Sequence, residues 1–543
     1  MRTECNQESF RFHPLASREV RGRFDGGAIT SDAGGLLLRE VEKRTGIVAQ
    51  FAACFRDHRD PARIEHTVEE LVAQRVYGLA LGYEDLNDHD QLRREPLLAV
   101  LVEKADPSGD ERRRERDQGQ ALAGKSTLNR LELTGTEVRE DERYKKIALD
   151  EAAVDRMLVE VFLQAHREAP KEIILDLDCT DDPLHGEQEG RFFHGYYGHY
   201  CYLPLYIFCG EHLLCARLRP ANIDPAAGSL EEVARIVAQI RAAWPEVRII
   251  VRGDSGFCRE ELMAWCEREG IDYVLGLAKN QRLKAEIGTE LEQAAEQYRQ
   301  TGRAARVFKE FEYQTRESWS RARRVIAKAE HLEKGTNPRF VVTSLGAAEW
   351  EAPRLYEQLY CARGEMENRI KESRRAGLFA DRTSTAFLRS NQIRLYFSSL
   401  AYLLLQALRR LGLKGTELAQ AQCATMRLKL LKIGTLIRIT VPRVWVSLAG
   451  GYPYVDLFQQ VYAQLRAAPL RCGAWSREIF HKRPTGQGGA RVFASPQNRV
   501  GMPSAKPSSL RQGHAPGPST ASLACQPTFP PKNPHRPPKS HPW

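Results

Sequence analysis

Over the first 165 residues, apolar positions recur at helical spacing. The stretches 36–42, 68–81 and 97–103 carry them at i, i+3 and i+4 and predict helices. Charged linkers such as 110–117 separate these stretches, and Gly26-Gly27 and Gly34-Gly35 predict turns. Beyond residue 170 the pattern changes. Residues 172–178 (Glu-Ile-Ile-Leu-Asp-Leu-Asp), 202–208, 212–218, 247–252 and 273–277 are short apolar runs that predict strands. Between them, 229–243 and 259–269 keep the helical period. Three strands followed by alternating helix and strand predict an α/β domain built on a mixed sheet.

A charged helix (281–300) and strand-like pieces at 306–313, 321–329 and 340–344 then read as a β-rich insertion at about 281–350. A helix is expected over 353–377, followed by a helical block to about 465. Its most apolar part, 395–408, is 14 residues long and flanked by Arg394, Arg409 and Arg410. A membrane span needs roughly 20 apolar residues, so a buried helix is expected and no membrane partner. From about 466 the chain turns to Pro, Ser, Gly and basic residues without a period, and a disordered tail is expected over 466–543. Either a nucleic-acid-contacting tail or a non-native extension from an altered reading frame fits that composition.

Length and charge narrow the class. At 543 residues the chain has room for two or three domains. The net charge of +10 is mostly a tail property: nine Lys or Arg and no acid follow position 481, leaving 71 basic against 70 acidic residues before it. The balance alone therefore does not argue that the folded part binds nucleic acid. The polar, charged start shows no secretory signal, and the twelve cysteines contain no Cys-x-x-Cys pair. Reduced thiols in a cytoplasmic protein are expected, and a zinc site is not.

Three acids carry the candidate chemistry. Asp178 ends the first strand-like run, Asp254 follows the fourth (Val-Arg-Ile-Ile-Val-Arg-Gly-Asp), and Glu367 lies in a basic helix-like stretch. Two strand ends and a helix can gather three carboxylates, and hard oxygen ligands of this kind suit Mg²⁺ and phosphoryl chemistry. At about 100° per residue, Tyr360, Arg363, Glu367 and Arg374 share one helix face. The plain alternatives are a solvated salt-bridge face for Glu367 and a turn or cap role for each Asp; Asp181-Asp182-Pro183 reads as a turn. Gly119-Gln-Ala-Leu-Ala-Gly-Lys-Ser126 satisfies a phosphate-loop pattern, but the charged run before it cannot be a buried strand, so Lys125 and Arg130 read as a helix start near DNA. His185, His194 and His199 share a tyrosine-rich loop expected to pack beside the catalytic strands, with some aromatics meeting unpaired bases; a histidine metal site is the lesser reading. The basic stretch Arg427, Lys429, Lys432, Arg438 and Arg443 reads equally as a phosphate-facing surface or as one face of a buried helix.

The motifs Asp178-Cys-Thr180, Arg252-Gly-Asp-Ser-Gly256 and Tyr360-x-x-Arg363-x-x-x-Glu367, with a basic residue seven further on, resemble the DDE transposases of bacterial insertion sequences. The third resembles the Tyr-Arg-Glu-Lys signature of the insertion-sequence-4-like group, with Arg374 where that signature has Lys. Residues 27–37, Lys125-Ser-Thr-Leu-Asn-Arg130 and 177–186 look like the insertion-sequence-1380 family in particular. The likeness covers about 10–465.

The resemblance implies a ribonuclease-H-like catalytic domain over 170–465, which the strand order also suggests. It further implies a helical DNA-binding region over 1–165. Asp178, Asp254 and Glu367 would be the catalytic residues, holding two Mg²⁺ ions (Mn²⁺ as substitute) for DNA cleavage and strand transfer. Tyr360, Arg363, Lys371 and Arg374, with Lys125 and Arg130, would contact DNA. The implied partners are double-stranded DNA with terminal inverted repeats, target DNA and a second copy in a synaptic homodimer. The implied location is the bacterial cytoplasm, at the nucleoid. A catalytically dead remnant and a nuclease that cuts without joining are the alternatives.

Overall fold

Strand alternation sorts the first apolar run. Glu172–Cys179 (β1) sends Ile173, Leu175 and Leu177 into one core, while Ile174, Asp176 and Asp178 take the opposite parity. The computed structural model describes residues 9–138, 141–374 and 377–469. The expected tail therefore lies outside the described residues from 470 onward.

Seven further strands build on β1: Leu205–Cys209 (β2), His212–Arg217 (β3), Arg248–Gly253 (β4), Asp272–Leu277 (β5), Ala305–Tyr313 (β6), Arg323–Leu332 (β7) and Arg339–Thr343 (β8). They run in the spatial order β3-β2-β1-β4-β5-β8-β7-β6, and the two-residue strand Gly335–Thr336 adds to β7. The pairs β1–β4 and β4–β5 are parallel and the others on this path antiparallel. Parallel neighbours need crossover connections. Helices Ser229–Ala243 and Glu260–Glu269 supply them.

The two faces of the sheet are covered differently. On one, Val233, Ile236, Val237 and Ile240 of the first crossover helix and Leu262, Met263 and Cys266 of the second pack with Leu175, Leu177, Ile249 and Val251. On the other, Leu355, Tyr356 and Leu359 pack on Ile250, Val274, Ile326 and Val341. Helix Leu388–Gly412 covers Tyr206, Phe208, Leu213 and Ala216 from the same core that holds helices Gly35–Thr45, Val68–Leu81 and Pro96–Leu101. Helices from before residue 165 and after 388 thus share one interior. Thr67 starts Val68–Leu81 with a reciprocal capping box to Glu70. Among the described residues no helix is long and apolar enough to cross a membrane.

Several elements differ from the sequence expectation. The strands expected as an insertion extend the main sheet, because β8 pairs antiparallel with β5 and covers what would otherwise be an open edge. The first described element is an exposed hairpin, Phe10–Leu15 with Arg18–Gly22, whose alternation of apolar and polar residues is a strand period. Within the expected C-terminal helical block, Thr435–Thr440 and Arg443–Leu448 form a hairpin that pairs with Ala28–Thr30. Asp182-Pro183 is a short strand on His199–Tyr202, not a turn. The helix expected at 353–377 is not uniform. It runs as an α turn (Ala352–Arg354), a π turn (Leu355–Tyr360), a 3₁₀ turn (Cys361–Arg363) and an α-helix (Gly364–Arg374), so a constant 100° step does not describe its face.

Candidate active site

The register of two strands brings the first two acids together. Leu177 of β1 pairs with Gly253 of parallel β4, so Asp178 and Asp254 emerge side by side from strands about 4.8 Å apart. Asp254 Oδ1 accepts the Gly256 amide at 2.8 Å, which closes a tight turn and fixes the carboxylate. The turn role considered for this Asp is therefore present.

Glu367 arrives on Gly364–Arg374, a helix anchored by buried Met366 and Ile370. Arg363 Nη2 lies 2.8 Å from Glu367 Oε1, and its Nη1 lies 3.8 Å from Asp178 Oδ1. One guanidinium thus spans two of the three acids. Glu365, the other acid of this motif, is 75% exposed and pairs with Arg369. Burial pushes the Asp178 carboxyl up to about 7; Arg363 opposes the rise, while the charges of Asp254 and Glu367 add to it. All three acids therefore share one electrostatic neighbourhood. For Arg363, burial works against its charge, and Asp178, Tyr360, Glu367 and Asp254 outweigh it to hold the guanidinium more firmly protonated.

Tyr360 reaches the same place from above β5. A Cβ built on Gly276 would lie 2.6 Å from the Tyr360 hydroxyl and 2.8 Å from the Ser255 amide nitrogen. Only glycine admits this approach of the ring to the Asp254 turn. Arg374 donates to Thr180 Oγ at 2.9 Å, just past Asp178. Lys371 is exposed on the same helix.

Two candidates lie elsewhere. Lys125 opens helix Lys125–Glu132 and binds Asp90 and Asn87, and Arg130 stacks over Tyr144. No strand directly precedes Lys125, which removes the phosphate-loop reading. Of the basic stretch, Arg427 is spent on the carbonyls of Ala80, Leu79 and Gly377, Lys432 on Asp32, and Lys429 on the Tyr454 ring. Arg438 and Arg443 stay exposed on the C-terminal hairpin. The tyrosine-rich loop forms a hairpin of its own, Phe192–His194 with His199–Tyr202, where His199 Nε2 meets Asp181 Oδ2 at 2.8 Å and Tyr196 is 86% exposed.

Three carboxylates against one guanidinium leave an excess of negative charge, and every donor is a hard oxygen, the set that suits Mg²⁺. Among the described residues no three His, Cys, Asp or Glu side chains are already closed into metal-holding geometry. Arg363 spans Asp178 and Glu367, and a divalent ion would compete with it for both. The residues fit such an ion by donor chemistry and by charge.

The sequence reading passed over one pair. Asp176 and Arg252 stand two residues before Asp178 and Asp254, pair in register, and form a buried bidentate ion pair at 2.5 and 2.7 Å. The equal offset of opposite charges before two candidate acids was the available signal.

The family model for Transposase DDE domain group 1 matches residues 12–470. Among solved structures, the cryo-electron-microscopy structure of the piggyBac transposase synaptic complex with hairpin DNA is similar at 11% identity, over 81% of this chain and 83% of that one, with a TM-score of 0.37. No curated protein sequence matches. With the family model spanning most of its length, the chain belongs to the DDE transposases, enzymes of DNA transposition.

Proposed function

We propose that the chain is the transposase of a bacterial insertion sequence of the insertion-sequence-1380 family, within the insertion-sequence-4-like group, and that it acts at the nucleoid. It cuts DNA at the ends of its element and joins them to a target. The sheet order 3-2-1-4-5, with the first and fourth strands parallel, supports a ribonuclease-H-like catalytic domain over about 170–465. Asp178, Asp254 and Glu367 are the catalytic acids. The observation that carries this reading is the in-register neighbourhood of the first two, with Arg363 linking Asp178 to Glu367.

When bound, two Mg²⁺ ions supply the charge that activates a nucleophile and stabilises the departing 3′-oxygen. Asp178, Asp254 and Glu367 hold them. The Asp254–Gly256 turn fixes one of those carboxylates without substrate, and Met366 and Ile370 seat the helix that carries another. Arg363, released from its carboxylates, and Arg374, Lys371 and Tyr360 contact the backbone of the transposon end, where a guanidinium can grip phosphate bidentately. Lys125, Arg130 and the rest of 1–165 bind the terminal inverted repeats, and two copies form the synaptic complex.

A strand-transfer assay with labelled ends tests this. Mg²⁺-dependent cleavage followed by joining is expected. Cleavage without joining would favour a nuclease, and inactivity in both Mg²⁺ and Mn²⁺ a degenerate element.

A further inference from the structure

We propose that Arg252 is a positioning residue for the transposition reaction: it locks the rotation of the helical segment that carries Tyr360, Arg363 and Glu367 over the strand ends that carry Asp178 and Asp254. This rests on the reading of those acids given above.

Arg252 spends its guanidinium on two elements at once. Nε and Nη2 bind both carboxylate oxygens of Asp176 at 2.5 and 2.7 Å, and Nη1 binds the Leu359 carbonyl at 2.5 Å. Both side chains of the ion pair are 7% exposed. Asp176 and Asp178 are two residues apart on β1 and take the same parity, and Arg252 pairs with Asp176 on β4, just before Asp254 leaves the strand end. Leu359 belongs to the π turn, and Tyr360, Arg363 and Glu367 follow within eight residues of it. The latch therefore joins the sheet to the segment where its backbone changes from π to 3₁₀ geometry.

Packing alone does not supply this lock. Leu355, Tyr356 and Leu359 on the sheet, and Met366 and Ile370 in the helix that follows, hold the segment by non-directional apolar contact, which sets its distance but resists a small roll less sharply than a directed hydrogen bond does. A carboxylate about 6 Å from a helix axis moves about 2 Å for a 20° roll. A metal site tolerates about 0.5 Å. A hydrogen bond from a planar guanidinium is directional and resists that roll. Stability is a poor reason for the pair, since buried ion pairs are often matched by apolar replacements of similar size.

Two variants of the full chain test this: Arg252→Lys, which keeps the charge but not the three-way fork, and the double variant Asp176→Leu/Arg252→Met, which replaces the pair by apolar volume. Thermal unfolding, amide hydrogen exchange and single-turnover cleavage against Mg²⁺ concentration are read together. The double variant is expected to fold, with amides 359–367 exchanging at least tenfold faster, those of β1 and β4 unchanged, and half-saturating Mg²⁺ raised at least tenfold. Arg252→Lys is expected to show the same pattern; should it fail to fold, the double variant decides. Folded variants with wild-type exchange over 359–367 and wild-type metal dependence overturn the proposal. If the wild type cuts no DNA at all, the functional reading fails, and exchange alone still decides whether the latch exists.

Discussion

The two faces of the central sheet are covered on opposite principles. Helices Ser229–Ala243 and Glu260–Glu269 are regular, and they bury one apolar side each against β1, β4 and β5. The segment 352–374 on the other face changes helical type three times in 23 residues, and beneath it the sheet presents an ion pair and two carboxylates. The regular face needs only area and volume, which many sequences supply. The irregular face needs particular atoms at particular points, and regular geometry gives way there to deliver them. Irregular turns of this kind often mark functional sites.

Substitutions on the two faces should therefore separate activity from stability. The largest effect expected is from Asp254→Asn: cleavage falls by about a thousandfold or more, because an acid ligand is lost, while gel-shift affinity for a transposon end changes little. Ile236→Ala, on the regular face and fully buried, is expected to cost about 2–5 kcal/mol in denaturant unfolding, with the rate per folded molecule unchanged. A large drop in that rate would blur the contrast between the faces. Gly276→Ala lies between the two kinds. Its Cβ would collide with the Tyr360 hydroxyl and the Ser255 amide, so about 1–3 kcal/mol of stability and roughly tenfold in rate are expected to be lost together.

The smallest effect concerns Asp182, also at the active end. Burial pushes its carboxyl from an ordinary 3.8 up to about 7, with Thr383 donating to it. Because the folded value is raised, its contribution to stability is present at low pH and is lost as pH rises from about 4 through 7. Asp182→Asn removes that loss. Unfolding measured from pH 4 to pH 8 should show the variant gaining stability relative to the wild type as pH rises, with the gap closing toward pH 4. A gap that does not change with pH would contradict this.

The contrast also explains what the sequence could reveal. Strands β1 to β5 and both crossover helices were legible because apolar period and burial coincide there, as at Ile173, Leu175 and Leu177. That Asp178 and Asp254 would be neighbours was legible because one lies at the end of a strand and the other just past its parallel partner. The phase of the 353–377 helix was not, since nothing local in Leu-Tyr-Glu-Gln-Leu-Tyr announces a π turn; the turn is held by Leu359 in the core and by Arg252 from a strand a hundred residues earlier. Asp176 was hidden inside a run read as apolar. The hairpin at 435–448 pairs with residues 28–30, a contact across some 400 positions that no window of sequence contains.

The central claim is that Asp178, Asp254 and Glu367 jointly hold divalent ions. Titration of the full chain with Mn²⁺ at neutral pH, followed by electron paramagnetic resonance, tests it without requiring any DNA. Two bound ions are expected for the wild type, with Asp254→Asn and Glu367→Gln each weakening the uptake at least tenfold while leaving the thermal midpoint close to the wild-type value. Folded variants that take up Mn²⁺ as the wild type does would contradict the account.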